Sequence, residues 1–437
     1  MKLIERNKRI LQLAALLLIV LQSCACNKSA GDNVKPKDNN EKKNDEIEFQ
    51  VGTKSFTTNR HTADGAPVVP MWKAQVATAD LRNGAGFPRL QGAEHAAVWR
   101  PANIEEGAYN HYACLIHYKG KFYAMWGNHR HGEDAPGQRV LYATSDTWGQ
   151  WTAPQELYAA PEPVRPRGEA GRHFKPDRWA ILDDVLYAIT YLHGAGVYPI
   201  ARAVDENGTL GDPFILTSLP SNGKLPEYME GVVDPKTPSP LGIKLYQWYR
   251  QNDQISWWAG ADWGVQRTSV DGQSLIESFI YRAKDGGLVL MLRDWGHNSN
   301  PVHNNRMYVS FNNGTGGWSR PHPSDIPDSP SRAQAITLDD GTVLLIGNQN
   351  VNQFDKALYL DRDPMTVSVS KDGYTFDKVY ALRTGSPTSY RFTGISGRNR
   401  GYAYSSSIIH EGVLYTLYST GKEDMEITRV PLTALGL

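Results

Sequence analysis

The sequence predicts an all-β fold, a seven-bladed β-propeller with six blades as the alternative. Three observations predict it. Apolar segments recur behind short turns, at Tyr118–Tyr123, Leu182–Tyr187, Lys284–Val289, Leu338–Val343 and His410–Tyr415, and each is a hairpin signal. From the apolar residue after each turn, through Phe122, Leu186, Leu245, Leu288, Val343 and Leu414, the intervals run from 43 to 71 residues. Such spacing suits one four-stranded blade per unit with loops of uneven length. Helical periodicity appears nowhere over a useful length, which leaves one all-β domain.

Six units are visible, and residues His95–Ile104 supply a further strand that closes the ring with the C-terminal segment. A second repeat reads Ser145-Asp-Thr-Trp-Gly-Gln-Trp151, Ser310-Phe-Asn-Asn-Gly-Thr-Gly-Gly-Trp318 and Ser370-Lys-Asp-Gly-Tyr-Thr-Phe376. These segments resemble degenerate Asp-boxes, the hairpin turns of sialidase-type propellers. Asp or Asn with Gly satisfies the turn backbone and the closing aromatic packs between blades, a structural role.

The chain opens with Lys2, Arg6, Lys8 and Arg9, an apolar run from Leu11 to Leu21, and Leu-Gln-Ser-Cys at 21–24. That pattern is a secretory signal peptide over 1–23. Its end resembles a bacterial lipobox, which makes Cys24 the lipidated residue. Residues 24–59 read as a disordered polar tether and 60–437 as the propeller. The expected location is the bacterial cell membrane or outer membrane, lipid-anchored, with the protein a monomer. Cys24 and Cys26 belong to the export region, so Cys114, in an apolar strand, is the one thiol of the folded part and reads as core packing. No metal site and no cofactor are expected.

The 46 basic and 46 acidic residues balance, so charge gives no footprint for a nucleic-acid partner. The 12 Trp and 22 Tyr suit an extracytoplasmic domain that faces carbohydrate.

Strand direction places the candidate chemistry. Blades run down, up, down, up, so the start of the first strand and the loop between the second and third share a rim. His111 begins a first strand, with His129 and His131 in the loop that follows. The same bookkeeping brings Arg178, Tyr191, His193 and Arg202 to that rim from the next blade, with Tyr187 nearby. Arg250, Arg293, His297, Asn348 and Gln349 follow further round. Guanidinium groups pair with carboxylate or sulfate while imidazole and phenol move protons, a mixture suited to an anionic sugar.

The run from His111 through Lys119-Gly-Lys-Phe-Tyr-Ala-Met-Trp126 to Glu133-Asp-Ala-Pro-Gly-Gln-Arg-Val-Leu-Tyr-Ala-Thr-Ser145 resembles the seven-bladed propellers that include ulvan lyases, uronate dehydratases and α-L-rhamnosidases. Gly401-Tyr-Ala-Tyr-Ser405 and Tyr418-Ser-Thr-Gly-Lys-Glu-Asp-Met-Glu-Ile427 are also similar. The resemblance implies β-elimination at C4 and C5 of a uronate in an anionic poly- or oligosaccharide, by a lyase or by a dehydratase of the terminal uronate. It implies His111 and His131 as the histidine pair, Tyr187 or Tyr191 as the tyrosine, and Arg202 as the group that neutralises the carboxylate. The structural zinc of some relatives, held partly by cysteines, is not expected with Cys114 alone.

Two other readings compete. One is a glycoside hydrolase, either an α-L-rhamnosidase or a sialidase. Sialidases use three arginines, a tyrosine with a glutamate partner and an aspartate, introduced by Phe-Arg-Ile-Pro, which Phe87-Pro-Arg-Leu90 echoes only loosely. The other is a surface glycan-binding lipoprotein without catalysis.

Overall fold

The computed structural model describes residues 46–437, except 52–53, 162–170, 195, 217–231, 234–239, 252–265, 298–304, 313–316 and 351–360. The signal peptide, Cys24 and the first part of the predicted tether lie outside the described residues. Among those described, no helix is long and apolar enough to cross a membrane.

Strands β1 (Ile47–Val51) and β2 (Lys54–Thr58) form an antiparallel hairpin. Ordered chain therefore begins before residue 60, where a tether to residue 59 was expected. Its reason is apolar: Phe49 and Phe56 pack against the third blade, Phe56 with its ring 5.6 Å from that of Phe311. After β3 (Glu94–Trp99) the first blade follows as β4 (Tyr109–Tyr118), β5 (Lys121–His129), β6 (Arg139–Ser145) and β7 (Gln155–Tyr158). The second is β8 (His173–Leu182), β9 (Val185–His193), β10 (Val197–Val204) and β11 (Phe214–Ile215), with helix α1 (Pro240–Gln251) after it. The third is β12 (Gln273–Arg282), β13 (Leu288–His297), β14 (Arg306–Asn312) and β15 (His322–Pro327). The fourth is β16 (Gln334–Thr337), β17 (Val343–Gly347), β18 (Met365–Ser370) and β19 (Phe376–Arg383). The last is β20 (Tyr402–His410), β21 (Val413–Thr420) and β22 (Asp424–Pro431), completed by β3.

The described residues thus form an all-β propeller of five blades and do not confirm a count of seven or six. All five recurrent turns are the first hairpins of blades. The unit placed at Leu245 is not a blade. Leu241, Leu245 and Trp248 recur at helical spacing in α1, and Leu245 is buried against Leu182, Phe214 and Leu216 of the second blade. A short apolar run reads equally as strand or helix, and here the helix covers a face of the second blade.

Ring closure matches the sequence. β3 lies antiparallel to β22, with His95 opposite Thr428 and Trp99 opposite Met425. His95 Nδ1 lies 2.7 Å from Thr428 Oγ1. Between β2 and β3 the chain runs along outer strands, bridging Val69 to Ser324, Trp72 to Phe376 and Arg89 to Ala381. Asp325 fixes this belt by accepting the backbone N–H groups of Met71 (2.6 Å) and Trp72 (2.8 Å).

The Asp-box segments join third to fourth strands. In the clearest, Asp372 accepts the N–H groups of Tyr374 and Thr375, each at 2.8 Å, and Phe376 is fully buried. Apolar side chains fill the space between blades, such as Met125, Leu186 and Ile200 between the first and second. The first strands of all five blades surround a central cavity of about 370 Å³.

Candidate active site

The first strands also bulge. Register shifts fall between His111 and Cys114 in β4, Pro176 and Arg178 in β8, Ile276 and Phe279 in β12, and Ala403 and Ser406 in β20. In three of them a left-handed residue stands in the bulge: Tyr112 (φ 64°), Glu277 (φ 51°) and Tyr404 (φ 57°). Left-handed backbone is disfavoured for side chains of this size, and bulges re-aim side chains beside functional sites. Here the bulged residues of different blades converge.

The Tyr404 hydroxyl donates to Glu277 Oε1. Arg293, from β13, places Nη1 2.6 Å from Glu277 Oε2 and 3.0 Å from the Tyr404 hydroxyl. Glu277, Arg293 and Tyr404 are all buried. Burial and the Glu277 charge push the Tyr404 phenol well above its ordinary range, partly opposed by Arg293. Arg293 carries the Trp295 indole at 5.3 Å on its far side, and that indole is 55% exposed.

Arg362 lies 5.5 Å from the Tyr404 ring centre and is only 2% exposed. Its Nη2 donates to the carbonyl of Pro330 at 2.8 Å, while its Nε and Nη1, like Arg293 Nε, have no acceptor among the described residues. Buried guanidinium N–H groups without acceptors are costly and suit an anionic ligand. Asp328, the buried carboxyl facing both arginines, does not neutralise them at neutral pH. Burial pushes its pKa up to about 8 against the pull of Arg293 and Arg362.

The first and last blades build the adjoining corner. The Tyr112 hydroxyl donates to Glu133 Oε1 (3.0 Å) and Asp134 Oδ1 (2.8 Å). Lys422 Nζ sits 2.8 Å from Glu133 Oε2, and Lys175 Nζ 2.6 Å from Asp134 Oδ2. Burial lowers the Lys422 pKa to about 8, although Glu133 opposes it. Burial also works against the Glu133 charge, but Lys422, Arg362 and the Tyr109 hydroxyl outweigh it and keep this carboxyl below its usual range.

His111 lies between the two corners, its ring centre 4.0 Å from that of Tyr404 and 4.8 Å from that of Tyr112. Nδ1 is 2.7 Å from Ser419 Oγ, and Nε2 has no hydrogen-bond partner. Burial, then the charges of Lys422, Arg362, Arg332 and Arg293, push the imidazole well below its ordinary range, so it is neutral.

Among the residues proposed from sequence, His111 and Arg293 stand in this site. His193, from β9, stacks on His173 at 5.1 Å beside the Asp134 corner, and Tyr191 is buried one ring away, 6.4 Å from His193. The rest correct the sequence reading. His131 is exposed and its backbone N–H bonds His129 Nδ1 at 3.1 Å, so this pair lies outside the cluster. Arg202 is held by the carbonyls of Gly211 and Leu157, both at 2.8 Å, and lies 5.5 Å from the ring centre of Tyr158. It fastens the first blade to the second through these bonds. Tyr187 sits at the opposite end of β9 from His193 and packs on Phe214 beneath α1. Arg178 pairs with Asp177 at 3.0 Å in the central cavity. Asn348 ties the carbonyls of Arg362, Pro364 and Tyr402, and Gln349 bonds Thr366, so both are structural. The side chains of Arg250 and His297 lie outside the described residues, as does Cys24. The Cys114 thiol, buried and pushed up to about 12 mainly by burial, donates to the Asp177 carbonyl at 3.2 Å and serves packing.

Sequence reasoning missed Glu277, Tyr404, Arg362, Lys422 and the Glu133–Asp134 pair. Tyr404 and Lys422 stood inside quoted runs without a role. Glu277 in Leu-Ile-Glu-Ser-Phe-Ile, an acid within an apolar strand, was the available signal. Among the described residues no group of three or more His, Cys, Asp or Glu is placed to hold a metal ion.

A BNR repeat-like domain matches residues 235–416. A solved sialidase superposes with a TM-score of 0.63 at 18% identity, covering 83% of this chain and 35% of its own. A protein of unknown function from Dyadobacter fermentans gives 0.45 at 12% identity, covering 78% of this chain and 99% of its own. A Trypanosoma rangeli sialidase mutant displaying trans-sialidase activity gives 0.44 at 13%, covering 83% and 60%. No curated protein matches the sequence. This chain thus spans about a third of the first sialidase's length, and at these identities the likeness is one of fold, a propeller of the BNR and sialidase type.

Proposed function

We propose that this protein is a glycoside hydrolase that releases a terminal sugar bearing a carboxylate on its anomeric carbon, a 2-keto acid sugar of the sialic acid kind. One observation carries the reading: the Tyr404 hydroxyl is bonded to Glu277 while Arg293 touches both. A carboxylate nucleophile would meet repulsion from a carboxylate on the reacting carbon, whereas a phenol arrives neutral. Tyrosine nucleophiles are the known exception to paired carboxylates in glycoside hydrolysis for this reason. Arg293 and Arg362 take the substrate carboxylate, with Arg332 a third arginine close enough to depress His111.

In the first step Glu277 accepts the phenolic proton as Tyr404 attacks the anomeric carbon, and the glycosidic oxygen leaves with a proton from Asp134. We assign the acid role to Asp134 because its side chain is the more exposed of the two, 41% against 25% for Glu133. Water then attacks the glycosyl-tyrosine, Asp134 takes a proton from that water, and Tyr404 regains its proton from Glu277. Export and lipid attachment at Cys24 belong to the same proposal and put the site outside the cytoplasm.

Elimination on a uronate is the second reading, supported by the neutral His111 whose bare Nε2 lies among arginines. Incubation with 3′-sialyllactose, and separately with ulvan oligosaccharides, decides between them. Free sialic acid without an unsaturated-uronate absorbance band supports hydrolysis. That band rising on ulvan, with no sugar acid released from sialyllactose, overturns it in favour of elimination.

A further inference from the structure

Next to the Lys422 corner, and sharing a chain segment with it, lies a second pocket of about 190 Å³. Its walls include Arg100, Tyr390, Arg391, Gly421, Glu423 and Asp424. The turn between β21 and β22 joins the two places. Lys422, left-handed at φ 55°, sends its ammonium to Glu133 in the site, and the next two residues face the pocket. Glu423, the next residue along the chain, already lines the pocket, and the Arg362 charge is felt at Tyr390 in its wall.

The pocket is rigid. Glu423 accepts the backbone N–H groups of Arg391 and Phe392, each at 3.0 Å, and pairs with Arg398 at 2.9 Å. Asp424 bonds Arg100 Nε at 3.0 Å and also Arg391. Arg398 sits 4.9 Å from the centre of the Tyr390 ring, and a Cβ built on Gly421 would come 3.6 Å from that ring. The Tyr390 ring is therefore held in place, yet it is 36% exposed and lines the pocket. A fixed aromatic face beside alternating carboxylates and guanidiniums suits a pyranose: C–H groups lie on the ring while hydroxyls meet donors and acceptors of both signs. The charges balance locally, so a neutral sugar fits better than a second acidic one.

We propose that this pocket is a subsite for the neutral sugar next to the terminal acidic residue, so that the substrate is an oligosaccharide and not an isolated sugar acid. This inference rests on the proposed hydrolase reading for its orientation, and its binding test does not. With 3′-sialyllactose and the methyl glycoside of sialic acid as substrates, Tyr390→Ala raises KM about tenfold for the trisaccharide, the loss of ~1.4 kcal/mol of stacking. The methyl glycoside, with nothing to place on the ring, keeps its KM and kcat, and Tyr390→Phe restores the trisaccharide value. Equal effects on both substrates, or none on either, overturn the subsite.

If neither substrate is cleaved, the hydrolase reading fails while the subsite is still decided by calorimetric titration of the intact protein with lactose and cellotriose. Binding by the wild type and by Tyr404→Phe, lost in Tyr390→Ala, supports it. Absence of binding in the wild type, or binding that survives Tyr390→Ala, overturns it.

Discussion

The Tyr404 hydroxyl donates to Glu277 across two blades, and both residues occupy left-handed bulge positions in the innermost strands. Neither would reach the other from a regular ladder. On the proposed mechanism Tyr404→Phe removes the nucleophile and leaves the ring packing, so kcat should fall by about a thousandfold with little change in the unfolding midpoint. By the same mechanism Glu277→Gln removes the proton acceptor and weakens the Arg293 pairing, so kcat should also fall by about a hundredfold or more. A Tyr404→Phe enzyme retaining most of its rate would sink the assignment.

Much of the fold was legible because hairpins depend on neighbours in sequence. The five turns and the closing strand around His95 were read correctly from local pattern alone. The unit placed at Leu245 was not, because Leu245, Tyr246 and Trp248 of α1 pack as a helix only when a second-blade face exists to receive them. The site was legible in part: His111 and Arg293 follow from strand ends. Glu277, Arg362 and Tyr404 meet through bulges and long-range packing, which leave no spacing signature, and Arg202 looked catalytic because a guanidinium that clamps carbonyls reads the same as one that binds ligand.

Arg362 has one N–H group on the Pro330 carbonyl and others without acceptors. Lysine in its place keeps a charge but loses the planar fork that meets a carboxylate with two bonds. Arg362→Lys should weaken binding of free sialic acid by about ten- to a hundredfold, the size of a lost charge-assisted bond. Calorimetric titration reads this directly, and unchanged affinity would remove Arg362 from the ligand site.

Asp328 supplies a pH test of stability. Its folded pKa is raised to about 8 by burial, so from its unfolded value near 4 up to 8 the folded state holds a proton that the unfolded state has lost. Stability from this group is therefore present at low pH and declines as pH rises through that window. Asp328→Asn abolishes the decline, and urea unfolding should show the variant gaining on the wild type between pH 5 and pH 8. A constant difference across that range contradicts a protonated Asp328.

Arg202 and Tyr187 test the site's boundary. Arg202→Ala should cost about 1–2 kcal/mol of stability, through loss of its bonds to the Gly211 and Leu157 carbonyls, with kcat/KM unchanged below the unfolding transition. Tyr187→Phe should be silent in activity. Selective loss of turnover in either variant, with the fold intact, would return the chemistry to the rim first drawn from sequence.

Ring closure has a consequence for the order in which the protein is made. Met425 pairs with Trp99, 326 positions earlier, so the first blade cannot meet the last until nearly the whole chain has emerged. The reacting corner takes Tyr112 and Glu133 from one side of that seam and Tyr404 and Lys422 from the other. A chain halted or cleaved midway holds half of the acid–base set with nothing opposite it. If the proposed mechanism holds, turnover requires both sides of the seam, and a partial chain that lacks either side is silent.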